Sequence, residues 1–223
     1  MENPLSEKKE NCISMLDQLK QEVQNQPQDV HKLDQYYRQA IAQNQIETAK
    51  KTISQLQCRF PKNQQLMKAH IVLCLHQQDY NCAVELIETL VAMSDPENEL
   101  IEAALKVRQK IGPRKIDEKD KTASTLSVCM IVRDEQNYLG PCLQSIKTIA
   151  DEIVVVDTGS TDRTTDVAHI FGAKVYDYKW NDDFAEARNY SLEKASCDWI
   201  LVMDADEIIS QKDLTAFSHF CAR

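Results

Sequence analysis

The sequence has few glycines and no long apolar segment. Four of its 223 residues are glycine, and none occurs before Gly112. No apolar run approaches the roughly 18 residues that a membrane-spanning helix needs. None of the eight cysteines has the Cys-x-x-Cys spacing of zinc and redox sites, so we expect reduced, buried thiols. The N-terminus has no apolar signal core, and we therefore expect a cytoplasmic protein.

Acidic charge is concentrated in the second half of the chain. Residues 1–123 carry 17 basic and 18 acidic side chains, a net charge of −1, whereas residues 124–223 carry 9 and 17, a net charge of −8. Carboxylates repel the phosphates of nucleic acids, so we expect no nucleic-acid partner. A divalent cation held by carboxylates fits this half of the chain better.

Residues 1–111 have the apolar spacing of helices, and they contain an internal repeat. A shift of 34 positions aligns Ala49 with Ala83 and Ile53 with Ile87. This pattern resembles tetratricopeptide repeats, in which stacked helix pairs commonly bind a protein or peptide. The resemblance implies a helical repeat domain at 1–111 with a possible protein partner. A second interpretation, that these helices only pack against the rest of the chain, is equally favoured.

After residue 111 the pattern changes from helices to alternating strands and helices. Residues 112–124 are predicted to be a linker, because a Gly-Pro pair ends the last helix and a charged segment follows. From 125 to 223 the alternation predicts βαβ units, a parallel sheet buried on both faces and the α/β class. The predicted strands are 126–132, 152–156, 174–176 and 199–203, and the predicted helices are 137–149, 162–171 and 183–195.

Carboxylates follow the first, second and last predicted strands. Glu135 follows the first strand, Asp157 the second, and Asp204 and Asp206 the last. The carboxyl ends of parallel strands meet at one edge of a sheet, so we expect these side chains at one ligand site. Residues two apart in an extended segment point the same way, and Asp204 and Asp206 can therefore face one cation. Oxygen ligands suit Mg²⁺ or Mn²⁺, and phosphates of the substrate typically complete the coordination shell of these cations.

Other nucleotide-binding and catalytic motifs are missing from the sequence. It has neither Gly-x-Gly-x-x-Gly after the first predicted strand nor a Gly-Lys-Ser/Thr phosphate loop. The five histidines fall in predicted helices, as packing or surface residues, and suggest no Ser-His-Asp triad. A nucleotidyltransferase is the weakest alternative, because it needs a glycine-rich loop where residues 132–138 have no glycine.

Four segments, at 126–135, 152–164, 183–189 and 198–207, together resemble family 2 glycosyltransferases in order and spacing. Among them are the sequences Val-Val-Val-Asp-Thr-Gly-Ser and Met-Asp-Ala-Asp-Glu. The resemblance covers about 85 residues, 126 to 210. It implies the nucleotide-binding half of the A-type fold, a mostly parallel Rossmann-like sheet. It also implies a nucleotide-diphosphate sugar as donor, with UDP as the family's default, and an unknown acceptor.

The resemblance assigns roles to individual residues of this sequence. Asp157 would accept a hydrogen bond from the nucleotide base, and Glu135 would contribute a contact from the first strand. Arg188 would lie near the base and the diphosphate. Asp204 would bind the ribose and support the metal, and Asp206 would ligate Mn²⁺ or Mg²⁺ directly.

Three further residues follow from the same segments. Asp162 is expected to begin a helix after the turn at Gly159, where an acidic residue suits the helix dipole. Trp180 and Phe184 could line the pocket, but we expect them to pack in the core.

In family 2 the catalytic base and the acceptor platform lie beyond the Asp-x-Asp segment. This chain ends 17 residues after Asp206, so we expect a domain incomplete at its C-terminus and no assignable catalytic residue. We also expect strand 199–203 to be an exposed apolar edge. Two interpretations stay open: a glycosyltransferase or a fragment of one, and a non-catalytic helical-repeat module with a vestigial transferase domain.

Overall fold

A computed structural model of the chain describes residues 14–93, 97–113, 124–210, 212–214 and 217. These residues contain helices and a parallel sheet, which confirms the α/β class. No helix within these ranges has the length and apolar character needed to cross a bilayer. The elements in chain order are α1 (Met15–Asn25), α2 (Val30–Ala42), α3 (Ile46–Arg59), α4 (Gln64–His76), α5 (Tyr80–Met93), α6 (Asn98–Ile111), β1 (Leu126–Val132), α7 (Gln136–Ile146), β2 (Glu152–Asp157), α8 (Thr164–Ile170), β3 (Lys174–Asp177), α9 (Phe184–Glu193) and β4 (Trp199–Val202).

The 34-residue period predicted from the sequence is confirmed in the helix boundaries. Both ends of α2 recur 34 positions later in α4, and both ends of α3 recur 34 positions later in α5. Asp29 and Asn63, also 34 apart, cap α2 and α4 by accepting backbone N–H bonds. The turns inside the two repeats place Asn44 and Gln78 at φ values of 55° and 59°. Neither position is a glycine, so these left-handed conformations were not predicted from the sequence.

The chain forms two compact units, Met1–Asp79 and Tyr80–Arg223. In the first unit, α1 to α4 enclose an apolar core. Its aromatic member, Tyr36, is 1% exposed, and so is Ala49. The other buried side chains of this core are Leu16, Leu19, Val23, Leu33, Ala40, Ile53, Leu56, Leu66, Ala69 and Leu73.

In the second unit, α5 and α6 pack against α7 and α8. The Arg108 guanidinium on α6 donates to Glu88 on α5 at 2.7 Å and to the Ile170 carbonyl at the end of α8. Lys147, which follows α7, donates to the other Glu88 oxygen at 3.3 Å. The compact units therefore do not divide where the repeat period ends, and the limits 1–111, 112–124 and 125–223 stay predictions about evolutionary domains.

The sheet has four parallel strands in the order β3-β2-β1-β4. All four predicted strands are confirmed, with ends that differ by at most one residue. β1 and β2 are buried as predicted, but β3 and β4 are not buried on both faces, because each lies at an edge. The expected apolar edge is present in β4, where Trp199 and Ile200 are 46% and 45% exposed.

Six of the eight cysteines lie among the described residues, and all six are free thiols. Cys74, Cys129 and Cys142 are buried, as expected for thiols at core positions. Cys58 is exposed, which corrects the expectation of burial at that position. Cys12 and Cys221 lie outside the described residues.

Candidate functional site

A cleft of about 600 Å³ opens where β1 and β4 end and α9 begins. Three of the predicted site residues that line it are acidic (Glu135, Asp204 and Asp206), and Arg188 lies among them. The sheet thus brings together carboxylates that are separated by some 70 positions in the sequence. The full lining is Ile131, Arg133, Glu135, Thr158, Trp180, Phe184, Ala185, Arg188, Asp204, Ala205 and Asp206.

The Asp-x-Asp segment continues directly from β4. Met203 and Ala205 are buried, whereas Asp204 and Asp206 are exposed and line the cleft, as the two-residue alternation predicts. The backbone of this segment is bonded to α7, because the buried Cys142 thiol donates to the Asp204 carbonyl at 3.6 Å. Burial, followed by nearby carboxylates, raises the pKa of Cys142 to about 12, so this thiol stays protonated and serves as a donor.

Arg188 reaches the Asp-x-Asp segment from helix α9. Its Nη2 donates to Oδ1 of Asp204 at 2.9 Å, and the two side chains are 42% and 57% exposed. The start of α9 is fixed by Asp183, whose carboxylate accepts the backbone N–H groups of Ala185 and Glu186. A guanidinium therefore lies beside the acidic pair, on a helix whose first turn is capped.

Glu135 immediately precedes α7 and lines the cleft. Partial burial and then the carboxylates of Asp206, Asp162 and Asp134 raise the pKa of Glu135. A raised pKa means that the site disfavours this negative charge, since like charges surround it. A cation bound among these carboxylates would relieve that repulsion.

The loops after β1 and β2 are bonded to each other. The Asp162 carboxylate accepts the N–H of Gln136 at 3.2 Å and that of Thr164 at 2.9 Å, so it caps α7 and α8 together. The expectation that Asp162 begins the helix after Gly159 is wrong, because α8 starts at Thr164, although Asp162 does accept its first N–H. The bond to α7 is a second role that the sequence did not reveal. Asp134 accepts the Thr161 N–H at 2.7 Å, and this bond above all lowers the pKa of Asp134.

Asp157 does not line the cleft. It is 6% exposed, and its carboxylate accepts the backbone N–H of Ser160 at 3.1 Å and that of Gly159 at 3.3 Å. The Ser160 hydroxyl also donates to it. In this structure Asp157 therefore holds the turn in which Gly159 adopts a φ of 107°, and its role toward a nucleotide base stays a prediction.

Trp180 and Phe184 line the cleft, which corrects the expectation that they pack in the core. Phe184 is 70% exposed, and the two ring centroids lie 4.7 Å apart at 70°. The Trp180 indole N–H donates to Asp182 at 2.9 Å, and Asp182 has a φ of 64°. This turn therefore holds two aromatic rings at the mouth of the cleft.

The sequence reasoning also missed cleft residues with no motif of their own. Arg133 is the one that matters most, since it adds a second arginine to the lining of the cleft. Its position directly after β1 was a usable signal, because residues that follow buried parallel strands collect at the ligand edge. Ile131, Thr158, Ala185 and Ala205 contribute only the walls.

Fold and site together define an α/β domain with an acidic, arginine-flanked cleft at the carboxyl ends of its parallel strands. Residues 127–219 match the family model of glycosyl transferase family 2. The chain therefore contains a glycosyl transferase family 2 domain, as the sequence resemblance indicated.

Two curated relatives and one solved structure illustrate the similarity. A TPR repeat-containing protein of Synechococcus elongatus is 54% identical over 82 residues, which are 37% of this chain and 20% of that protein. The SPbeta prophage-derived glycosyltransferase SunS of Bacillus subtilis is 36% identical over 91 residues, which are 40% of this chain and 22% of that protein. The matched segments thus span about a fifth of these relatives.

The solved structure is glucosyl-3-phosphoglycerate synthase from Mycobacterium tuberculosis, crystallised with Mn²⁺, UDP and glucosyl-3-phosphoglycerate. It is 25% identical, with 50% of this chain and 38% of that chain covered, and the TM-score is 0.34. That TM-score is too low to support an inference about this chain. The fold assignment rests on the observed parallel sheet and on the family match.

Proposed function

We propose that the cleft binds a nucleotide-diphosphate sugar, with UDP as the nucleotide, and that the chain is the donor-binding part of a glycosyltransferase. The observation that carries this proposal is the acidic cleft in a glycosyl transferase family 2 domain. Glu135, Asp204 and Asp206 bring three negative charges to it, and Arg133 and Arg188 bring two positive charges. A diphosphate alone would be repelled by the carboxylates, so the proposal includes a divalent cation.

The donor set of the cleft fits Mn²⁺ or Mg²⁺. Asp204 and Asp206 offer exposed carboxylate oxygens on the same side of one segment, and hard divalent cations prefer such ligands. Burial and then the neighbouring carboxylates raise the pKa of Glu135, and a bound cation would offset the repulsion among these carboxylates. A bound metal of this kind acts as a Lewis acid that stabilises the charge of the departing nucleoside diphosphate.

The side chains of the cleft have separate roles in this proposal. Asp206 holds the cation directly, and Asp204 supports it and the ribose. Arg188 and Arg133 bind phosphate oxygens, for which a guanidinium has matching geometry. Trp180 and Phe184 form an apolar wall that excludes water from one side of the ligand. Asp157, one strand further along the sheet, contacts the base.

Thermal unfolding of the chain with UDP, with and without Mn²⁺, tests the proposal. A ligand at about 100 times its dissociation constant stabilises a protein by roughly 2.7 kcal/mol. For a chain of this size that corresponds to a rise in Tm of about 5–10 °C. We expect this rise only when Mn²⁺ is present, and we expect a chelator to abolish it.

Two variants identify the site responsible for the stabilisation. Asp206→Asn keeps the size of the side chain and removes the charge, and it should abolish the Mn²⁺-dependent rise. Asp177→Asn removes an exposed carboxylate at the end of β3, outside the cleft lining, and should leave the rise intact. If UDP and Mn²⁺ give no rise in a protein that unfolds cooperatively, the donor-binding proposal is wrong. A non-catalytic repeat module would then be the better interpretation.

A further inference from the structure

Arg188 and Asp204 form an ion pair, although the proposed function gives them different ligands. Asp204 supports the cation, and Arg188 binds a phosphate oxygen. Arg188 Nη2 lies 2.9 Å from Oδ1 of Asp204, the carboxylate that supports the cation. A guanidinium and a divalent cation beside the same carboxylate oxygen repel each other. Both side chains are about half exposed, so the pair is weak and can exchange partners at low cost.

Arg188 has room to change partners without leaving the cleft. Phe184 and Arg188 are four residues apart on α9, so they share one face of the helix, and both line the cleft. Asp204 is the acceptor found for the Arg188 guanidinium among the described residues. If a cation takes that acceptor, the oxygens of an anion bound in the same cleft become available as new acceptors for Arg188.

We propose that Arg188 is an exchange residue that couples cation binding to anion binding. It pairs with Asp204 when the cleft holds no ligand, and it moves to a phosphate oxygen of the nucleoside diphosphate when a divalent cation takes Asp204. This inference rests on the proposed function. It adds that Arg188 opposes the cation when the cation binds alone, and favours the diphosphate once the cation is present.

The inference predicts opposite effects of one substitution on the two ligands. Arg188→Met removes the competitor for Asp204, so the chain should bind Mn²⁺ alone about fivefold more tightly. The same variant lacks the phosphate contact, so in saturating Mn²⁺ it should bind UDP about tenfold more weakly. Binding of Mn²⁺ is measured from the electron paramagnetic resonance signal of the free ion, and binding of UDP by calorimetry.

Two further variants separate partner exchange from simple removal of charge. Arg133→Met removes the same charge from the same cleft, but Arg133 has no observed bond to Asp204, so its effect on Mn²⁺ should be less than half as large. Arg188→Lys keeps the charge and should bind Mn²⁺ with nearly wild-type affinity. Retained tryptophan fluorescence transitions establish that each variant folds.

The outcomes distinguish this inference from the function on which it rests. A wild-type chain that binds neither Mn²⁺ nor UDP overturns the donor-binding proposal and the exchange with it. A wild-type chain that binds both, with an Arg188→Met variant whose Mn²⁺ affinity is unchanged or weaker, overturns the exchange alone. An equal gain in Arg133→Met, or unchanged UDP binding in Arg188→Met, also overturns it.

Discussion

Replacement of Glu152 by Gln should destabilise the second unit, because this buried carboxylate at the start of β2 is surrounded by donors. Its side chain is 2% exposed. The Ser196 N–H and hydroxyl each donate to it at 2.8 Å, and the Ser127 hydroxyl and the Lys174 ammonium also donate to it. A Gln side chain would turn its own NH₂ group toward at least one of these donors and leave that donor unsatisfied.

The size of the expected loss of folding free energy follows from the pKa of Glu152. Burial alone would raise it, but the bonds from Lys174, Ser127 and Ser196 outweigh burial and lower the pKa from an ordinary value of 4.5 to about 2. A difference of about 2.5 units corresponds to about 3 kcal/mol of folding free energy. The Lys174 side chain is 49% exposed, so solvent screening reduces its share, and we expect a net loss of about 2–3 kcal/mol.

The sign of the pH dependence is fixed by the lowered pKa. The stabilisation is complete above the unfolded value of 4.5, and it is lost as the pH falls toward the folded value of about 2. The stability difference between Glu152→Gln and the wild type should therefore be largest near neutral pH. The difference should become progressively smaller as the pH is lowered to about 3.

Urea unfolding followed by tryptophan fluorescence measures the stability difference between Glu152→Gln and the wild type in the second unit. The two tryptophans of the chain, Trp180 and Trp199, both lie in the second unit. Glu193→Gln, at an exposed position at the end of α9, is the matched control and should change stability by less than about 0.5 kcal/mol. If Glu152→Gln costs no more than this control, or costs the same at low pH as at neutral pH, the reasoning is wrong.

Three more outcomes are expected. Asp162→Ala should lower the free energy of unfolding by about 1–2 kcal/mol, measured by urea unfolding, because it removes the cap shared by α7 and α8. Arg108→Met should cost about 3 kcal/mol in the same assay, since it leaves Glu88, which is 7% exposed, without its closest cation. Phe184→Ala should leave the Tm within about 2 °C of wild type, because the ring is 70% exposed, yet weaken UDP binding in a titration followed by Trp180 fluorescence.

Most of the fold was predictable from the sequence because its signals are local. The strand positions followed from short apolar runs, and the predicted 34-residue period recurs in the observed bounds of α2 to α5. Packing of the helices against the rest of the chain was one of two interpretations of the sequence, but it was not predictable that α5 and α6 would make these contacts. They depend on bonds between Arg108, Glu88 and Ile170, which are 20 and 62 positions away from Arg108, and periodicity carries no information on such pairs.

The site was predictable where position along a strand decides orientation. Asp204 and Asp206 follow β4 directly, so the alternation of an extended chain predicts their common direction. Trp180 and Phe184 lie on either side of a turn in which Asp182 adopts a positive φ, and no sequence pattern predicted that turn. The buried positions found in α9 are the small residues Ala187 and Ser191, so the apolar pattern did not reveal which face of this helix meets the sheet.

Glu152 at the amino end of the sheet and Glu135 at its carboxyl end have pKa shifts of opposite direction, and this contrast separates an acid that stabilises the fold from one near the candidate site. At the amino end, donors surround Glu152 and its pKa falls. At the carboxyl end, burial and neighbouring carboxylates raise the pKa of Glu135. A carboxylate that stabilises the fold is surrounded by hydrogen-bond donors of the fold. Carboxylates that lie close together with few donors are candidates for binding a ligand.

This contrast predicts that Asp206→Asn and Glu152→Gln will differ in kind. Asp206→Asn removes a charge that repels Glu135, so without ligand the variant should be as stable as the wild type or slightly more stable. It should nevertheless lose the stabilisation by Mn²⁺ and UDP. Urea unfolding with and without these ligands measures both effects. The ligand-free Asp206→Asn variant could instead lose as much stability as Glu152→Gln. Asp206 would then be a structural residue, and the proposal that the cleft is a binding site would be wrong.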